Sequence, residues 1–187
     1  MQQIFNKAKK IRLVSFDVDG VLTDGRLFFD DQGQESKGFH ARDGLGIKLL
    51  QQSGVEVAVI SGRRSQSVER RMAALDISLV YQGQDDKLIA LDELCQKLNL
   101  QYEQVAHVGD DVLDLPVMMR VGLSIAVGDA HDYVKQRANW TTNLPGGHGA
   151  AREVCDLVMK AQGTLEAVLD QYVVVNNPKS KRAKYDK

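Results

Sequence analysis

The chain has 187 residues, 43% hydrophobic and 26% charged, which is enough for one domain with a full core and too few for a second of similar size. A formal net charge of -1 excludes a general nucleic-acid surface, because binding along a phosphate backbone needs a clustered cationic excess. Cys95 and Cys155 lie far apart, without C-x-x-C spacing or a neighbouring His, which excludes a thiol redox motif and a zinc site.

The N-terminal "MQQIFNKAKKIRLVSF" holds no apolar run long enough for a signal peptide or a membrane span. The expectation is a soluble, cytoplasmic protein without membrane insertion. "IRLVSF" (11 to 16) then reads as a first strand, and "VEVAVIS" (55 to 61), "ISLVYQ" (77 to 82), "QVAHVG" (104 to 109) and "LSIAVG" (123 to 128) follow it. Each is short, rich in Val or Ile, and stopped by Gly or a polar cluster.

"GRLFFDDQGQESKGFHARDG", after the first strand, reads as a β-hairpin whose arms, 27 to 29 and 35 to 39, flank "DDQG". Between the other strands, "DGLGIKLLQQSG", "SQSVERRMAALD", "DKLIALDELCQKLNL" and "LDLPVMMRVG" place apolar residues at helical spacing. Ser65 or Asp85 stands before a helix, and Gly54 or Gly122 after one. Met118, Met119 and Met159 read as core. A last helix is expected over about 149 to 172. Strands alternating with helices predict an α/β fold, a doubly wound, Rossmann-like parallel sheet over residues 1 to 175. Residues 176 to 187 read as a flexible basic tail, with Lys179, Lys181, Arg182 and Lys184 making a solvated arm.

In such a sheet ligands gather beyond the carboxyl ends of the strands, and there the sequence puts its charge. Asp17 and Asp19 end the first strand on one face, Ser61 ends the second, Lys87 opens the helix after the third, and Asp110, Asp111 and Asp114 follow the fourth. So many carboxylates stay ionised together only beside a compensating cation, and a hard oxygen set with few ligands suits Mg²⁺. Mg²⁺ with a carboxylate pair, one member attacking and one moving protons, permits phosphate hydrolysis through an aspartyl-phosphate. A calcium loop counted from Asp17 fails, since Leu22 and Phe28 occupy the positions that need Gly and Glu. "GLGIKL" fails as a dinucleotide fingerprint because Leu49 replaces its third Gly. Asp24, in "TDGR", reads as a turn residue. Arg64 and Arg70 read as solvated helix charges.

"DVDGV", "SGR", Lys87 and "GDDVLD", in that order on successive strands, resemble the four motifs of the haloacid dehalogenase superfamily. "RDGLGIKLL", "VISGRRSQSVERR", "YQGQDDKL", "VGDDVLDLPVM" and "GGHGAAREVCD" extend the likeness, over about residues 10 to 160, to the bacterial 3-deoxy-D-manno-octulosonate 8-phosphate (KDO 8-phosphate) phosphatases. The resemblance implies a Mg²⁺-dependent phosphatase on the route to lipopolysaccharide. Asp17 would be nucleophile and metal ligand, Asp19 the general acid and base and a ligand through its carbonyl, and Asp110 a metal ligand. Ser61 and Lys87 would hold the phosphoryl group, with Asp111 and Asp114 behind the ligands. Substrate contacts would fall on His40, Ala41, Arg42, Asp43, Gly44, Lys48, Arg63 and Arg71, and the cations among them suit an acidic sugar phosphate. Lys48 stands where the family pattern has Arg, and His148 where Arg is common.

The spacings leave no room for a cap domain, so the site is expected to be open. The family is similar to a homotetramer in which hairpins pack together and neighbours wall the site, and Phe28, Phe29 and Phe39 fit such an interface. The rival readings are a phosphatase of a sialic acid 9-phosphate, a phospho-acceptor switch that does not turn over, and an inactive scaffold.

Overall fold

The computed structural model describes residues 1 to 173; the basic tail lies outside the described residues. A short helix, α1 (Gln2–Ala8), leads into β1 (Leu13–Phe16), and the hairpin β2 (Phe28–Phe29) and β3 (Glu35–Ser36) follows. Then come α2 (Ala41–Gln52), β4 (Glu56–Ser61), α3 (Gln66–Ala74), β5 (Leu79–Gln82), α4 (Lys87–Leu98) and β6 (Val105–Gly109). The chain continues with α5 (Leu115–Met118), β7 (Leu123–Ala126), α6 (Asp132–Lys135), β8 (Trp140–Thr141), α7 (Ala150–Gln162) and α8 (Leu165–Asp170).

Six parallel strands form one sheet in the order β5-β4-β1-β6-β7-β8, with β1 near its middle. The five expected strands all form, and β8 adds an edge. Successive side chains of β1 go to opposite faces. Val14 and Phe16 join a core with Ile47, Leu50, Met72, Val154 and Val158 of α2, α3 and α7. Leu13 packs with Ala58, Ile60, Val105, Leu91, Leu94 and Val117 on the side covered by α4 and α5. Burial of aliphatic side chains on both faces explains why the strands read as unbroken apolar runs.

Local chemistry departs from the expectation at several ends. Asp86, not Asp85, caps α4 by accepting the Leu88 amide at 2.9 Å. "LDLPVMMRVG" yields a 3₁₀ turn over Val112–Asp114 and only one turn of α-helix, because Asp111 and Asp114 draw the backbone into reciprocal caps. The expected last helix breaks at Gly163 into α7 and α8. Met118 and Met159 are buried, whereas Met119 is exposed at the end of α5. Phe39 packs against the core beneath the Arg71 guanidinium, so of the three hairpin phenylalanines Phe28 and Phe29 stay exposed, beside an exposed Leu27. Asp24 makes a turn, its Oδ1 accepting the Arg26 amide at 3.1 Å. Both cysteines are free and buried.

The Gly146–Gly147 loop closes against the turn after β1, where the Gly147 amide donates to the Val21 carbonyl at 2.9 Å. A Cβ at position 146 would collide with the Gly20 carbonyl oxygen, so the two backbones meet only through glycine. Gly146→Ala should destabilise the fold by about 3 kcal/mol, the upper range for overpacking, read as a lowered urea midpoint. An unchanged midpoint would show that this loop is not held against the turn.

Candidate active site

β1 runs directly into Asp17, whose amide donates to the Val108 carbonyl of β6 at 3.0 Å, so this carboxylate is anchored to the central strands. Asp19 follows two residues on, and the chain turns at Gly20 with φ +90°. That left-handed turn favours glycine, and a Cβ there would also strike the Asp110 carboxylate. β4 delivers Ser61, whose hydroxyl accepts the Arg63 amide at 3.3 Å. Lys87, first residue of α4, sends its ammonium inward and is 4% exposed. After β6, Asp110 and Asp111 lead into the turn that folds Asp114 back, so that Asp114 Oδ2 accepts their amides at 3.0 and 3.4 Å.

These ends converge. Lys87 Nζ lies 3.0 Å from Asp17 Oδ2 and 2.6 Å from Asp114 Oδ1. Asp17, Asp110 and Asp114 each offer a carboxylate oxygen within 4.8 Å of the others. Burial, then the Asp114 charge, pushes Asp17 up to about 6. Burial with the charges of Asp114 and Asp17 pushes Asp110 up to about 8. Asp114 goes the other way: burial opposes its charge, but bonds from His107 and Lys87 outweigh that and hold it below the usual carboxylate range. Burial opposes the Lys87 charge as well, yet Asp114 and Asp17 keep its pKa above that of an ordinary lysine. Asp17 and Asp110 therefore lack enough positive charge nearby to ionise readily. Hard carboxylate oxygens in that condition are a fitting donor set for Mg²⁺.

Lys37, on the hairpin's return arm, bonds Asp19 and lies 3.1 Å from Glu35 Oε1. Arg63 Nη2 donates to the same Glu35 oxygen at 2.9 Å, with its Nε 3.9 Å from Asp19 Oδ2. Arg63 is thus the expected substrate contact that the structure ties directly to the acids. Lys37 and Glu35 were missed, because in sequence they read only as hairpin charges.

The other expected contacts lie on the first half of α2 and beside it. Lys48 pairs with Asp76 at 3.2 Å. The Arg71 guanidinium sits over the Phe39 ring, 5.9 Å from its centre, and against Gly44. His40 precedes α2, and Ala41 and Arg42 are exposed at its start. Asp43 turns inward and caps α7, accepting the Gly149 amide at 3.2 Å and the Arg152 amide at 2.8 Å. Asp111 is exposed and caps the turn after it through the Val112 amide at 2.7 Å.

A strand order with acids, hydroxyl and lysine at its carboxyl ends defines the haloacid dehalogenase-like hydrolases, and the model of that family matches residues 79 to 154. The likeness is closer still to one branch. A 3-deoxy-D-manno-octulosonate 8-phosphate phosphatase KdsC of Salmonella typhi is 49% identical over 170 residues, covering 91% of this chain and 90% of that protein. The chain belongs to the 3-deoxy-D-manno-octulosonate 8-phosphate phosphatase family. Among solved structures, the phosphatase from Yersinia pestis matches with TM-score 0.87 at 49% identity, over 88% of this chain and 89% of that one. The Moraxella catarrhalis enzyme, solved with magnesium, phosphate and KDO, matches with TM-score 0.90 at 42% identity, over 92% of this chain and 99% of that one.

Two outcomes follow from this geometry. Asp43→Ala removes two bonds at the start of α7 and should cost about 1–2 kcal/mol, the range for a lost cap, measured by urea denaturation; no loss would return Asp43 to a purely substrate-facing role. Asp110 and Asp17 have folded values of about 8 and about 6 against an ordinary 3.8, so the folded state holds protons that the unfolded chain has lost. The stability this confers is complete below the ordinary value and disappears as pH rises through 6 and 8. In chelator, the melting temperature should fall between pH 5 and 9, and Asp110→Asn should flatten the upper part of that fall. Identical slopes for variant and wild type would refute the assignment.

Proposed function

We propose that this protein is a Mg²⁺-dependent phosphatase that hydrolyses 3-deoxy-D-manno-octulosonate 8-phosphate to KDO and inorganic phosphate. The observation that carries the reading is the buried lysine beside a pair of protonation-prone acids, Lys87 with Asp17 and Asp110, in a chain 49% identical to phosphatases of that name. Asp17 and Asp110, with the Asp19 carbonyl, would hold the metal, which when bound supplies positive charge to the phosphoryl oxygens and to the crowded carboxylates.

Asp17 Oδ attacks phosphorus in line with the departing sugar oxygen, forming the aspartyl-phosphate as the P–O bond to the sugar breaks. Asp19 gives its proton to the leaving alkoxide. It then takes a proton from the water that attacks the phosphorus of the intermediate, which frees phosphate and restores Asp17. Lys87 fixes one Asp17 oxygen, leaving the other for attack. The Ser61 hydroxyl and Lys87 donate to phosphoryl oxygens as charge builds there. Arg63 and the region of His40 to Gly44, Lys48 and Arg71 receive the sugar acid, whose carboxylate calls for cations.

Assembly belongs to the same reading. Phe28 is 49% and Phe29 57% exposed, which supports contact between hairpins of different copies. A cytoplasmic homotetramer would wall an open site with neighbouring chains, and no helix among the described residues is long and apolar enough to cross a membrane.

Phosphate release, measured over a panel of sugar-acid phosphates with and without Mg²⁺, tests the proposal. The eight-carbon substrate should be preferred and chelator should abolish release; equal rates on every ester would remove the substrate assignment. Asp19→Asn should retain phosphoenzyme and lose at least about 10²-fold in turnover, the usual share of an acid-base group. Wild-type turnover in that variant would refute the role of Asp19.

A further inference from the structure

Ser15, His107 and Ser124 put buried polar side chains on the mostly apolar face of the sheet that α4 and α5 cover, and Ser124 is accounted for by accepting the Asn139 amide at 3.0 Å. Ser15 of β1 and His107 of β6 face each other in register across neighbouring parallel strands, and both are 0% exposed. They lie on the same face as Leu13 and Val105, which pack against Leu91 and Leu94 of α4. Polar groups so placed are costly unless fully bonded.

Their bonds lead to the active site. His107 Nδ1 is 2.8 Å from Ser15 Oγ, and His107 Nε2 is 3.0 Å from Asp114 Oδ1. A carboxylate only accepts, so Nε2 carries the proton, and Nδ1 accepts from the Ser15 hydroxyl. Ser15 Oγ also reaches the Ala106 carbonyl, at 3.2 Å, so its single proton is shared between that carbonyl and the shorter contact to Nδ1. Asp114 Oδ1 also accepts Lys87 Nζ, and Oδ2 accepts the amides of Asp110 and Asp111. Four donors from three directions leave this carboxylate no second orientation. Lys87, bonded to it, is thereby set 3.0 Å from Asp17.

We propose that His107, kept in one tautomer by Ser15, is a positioning residue that acts through Asp114 to place Lys87 against Asp17. This rests on the phosphatase reading. Without the imidazole, Asp114 Oδ1 is held by Lys87 alone, the carboxylate rotates toward the ammonium, and Lys87 loses its angle to the nucleophile. The loss belongs to the chemical step, where Lys87 meets developing charge, and not to binding of the sugar.

The test uses the full chain with Mg²⁺ and the preferred sugar phosphate. His107→Leu should lower kcat about tenfold, equivalent to ~1.4 kcal/mol in the barrier, with KM within about twofold of wild type. His107→Gln, whose amide can donate to Asp114 and accept from Ser15, should restore most of that loss. In an Asp114→Asn background, where the hub is already damaged, His107→Leu should cost much less than it does alone, since residues acting as a unit are not additive. Wild-type kcat in His107→Leu, or full additivity with Asp114→Asn, would overturn the proposal. So would equal loss in the Leu and Gln variants. If His107→Leu does not fold, Ser15→Ala replaces it: a several-fold fall in kcat is expected, and an unchanged kcat refutes the relay. Inactivity of the wild type on every ester would instead defeat the phosphatase reading, so the two failures are separable.

Discussion

One buried ammonium makes this site possible. Lys87 stands between Asp17 and Asp114, and without it three carboxylates would share a few ångströms with no positive charge of the protein's own among them. Its bonds divide the acids into two kinds. Asp114 is fully ionised, saturated by donors and fixed, whereas Asp17 and Asp110 retain protons more readily than ordinary carboxyls and are left to respond to what arrives. A site meant to bind a dianionic phosphate group must carry little net negative charge when ready, and this division meets that need. The rigid acid supports the lysine, and the adaptable acids are the ones that would hold the proposed metal.

The sheet exists around that arrangement. β1 must be central so that β4 and β6 bring Ser61 and Asp110 to either side of Asp17, and the order β5-β4-β1-β6 achieves this with parallel strands alone. Parallel pairing puts all carboxyl ends on one edge. It also forces each return path through a helix, which is why Lys87 can come from the start of α4 and reach the acids from below. Gly20 then lets the chain leave Asp19 without displacing Asp110.

The strands, the hairpin and the carboxylate cluster were legible in the sequence because each depends on local pattern. "VAVIS" cannot avoid being a buried strand, and D-x-D at a strand end announces charge that must be compensated. What escaped depended on pairing between distant segments. Ser15 sits in "LVSF" and His107 in "VAHV" as apparent blemishes in apolar runs, and only the strand register shows that they face each other. Asp43 reads as part of a substrate motif, and its capping of α7 is visible only when residues 149 and 152 come beside it. The shortest elements failed for a simpler reason: α1, α6 and β8 span so few residues that no periodicity can accumulate.

The hairpin shows the same logic on the solvent side. Its tip leaves Phe28 and Phe29 exposed, but its base is charged and folded onto the site, with Lys37 on Asp19 and Glu35 on Arg63. Burial opposes ionisation of Glu35, yet Lys37 and Arg63 keep it below the ordinary value, so it remains an anion between two cations. Under the proposed function, an anionic sugar acid entering there would compete with Asp19 and Glu35 for Lys37 and Arg63. An insertion that looks peripheral in sequence is thus joined to Asp19 through Lys37 on its return arm.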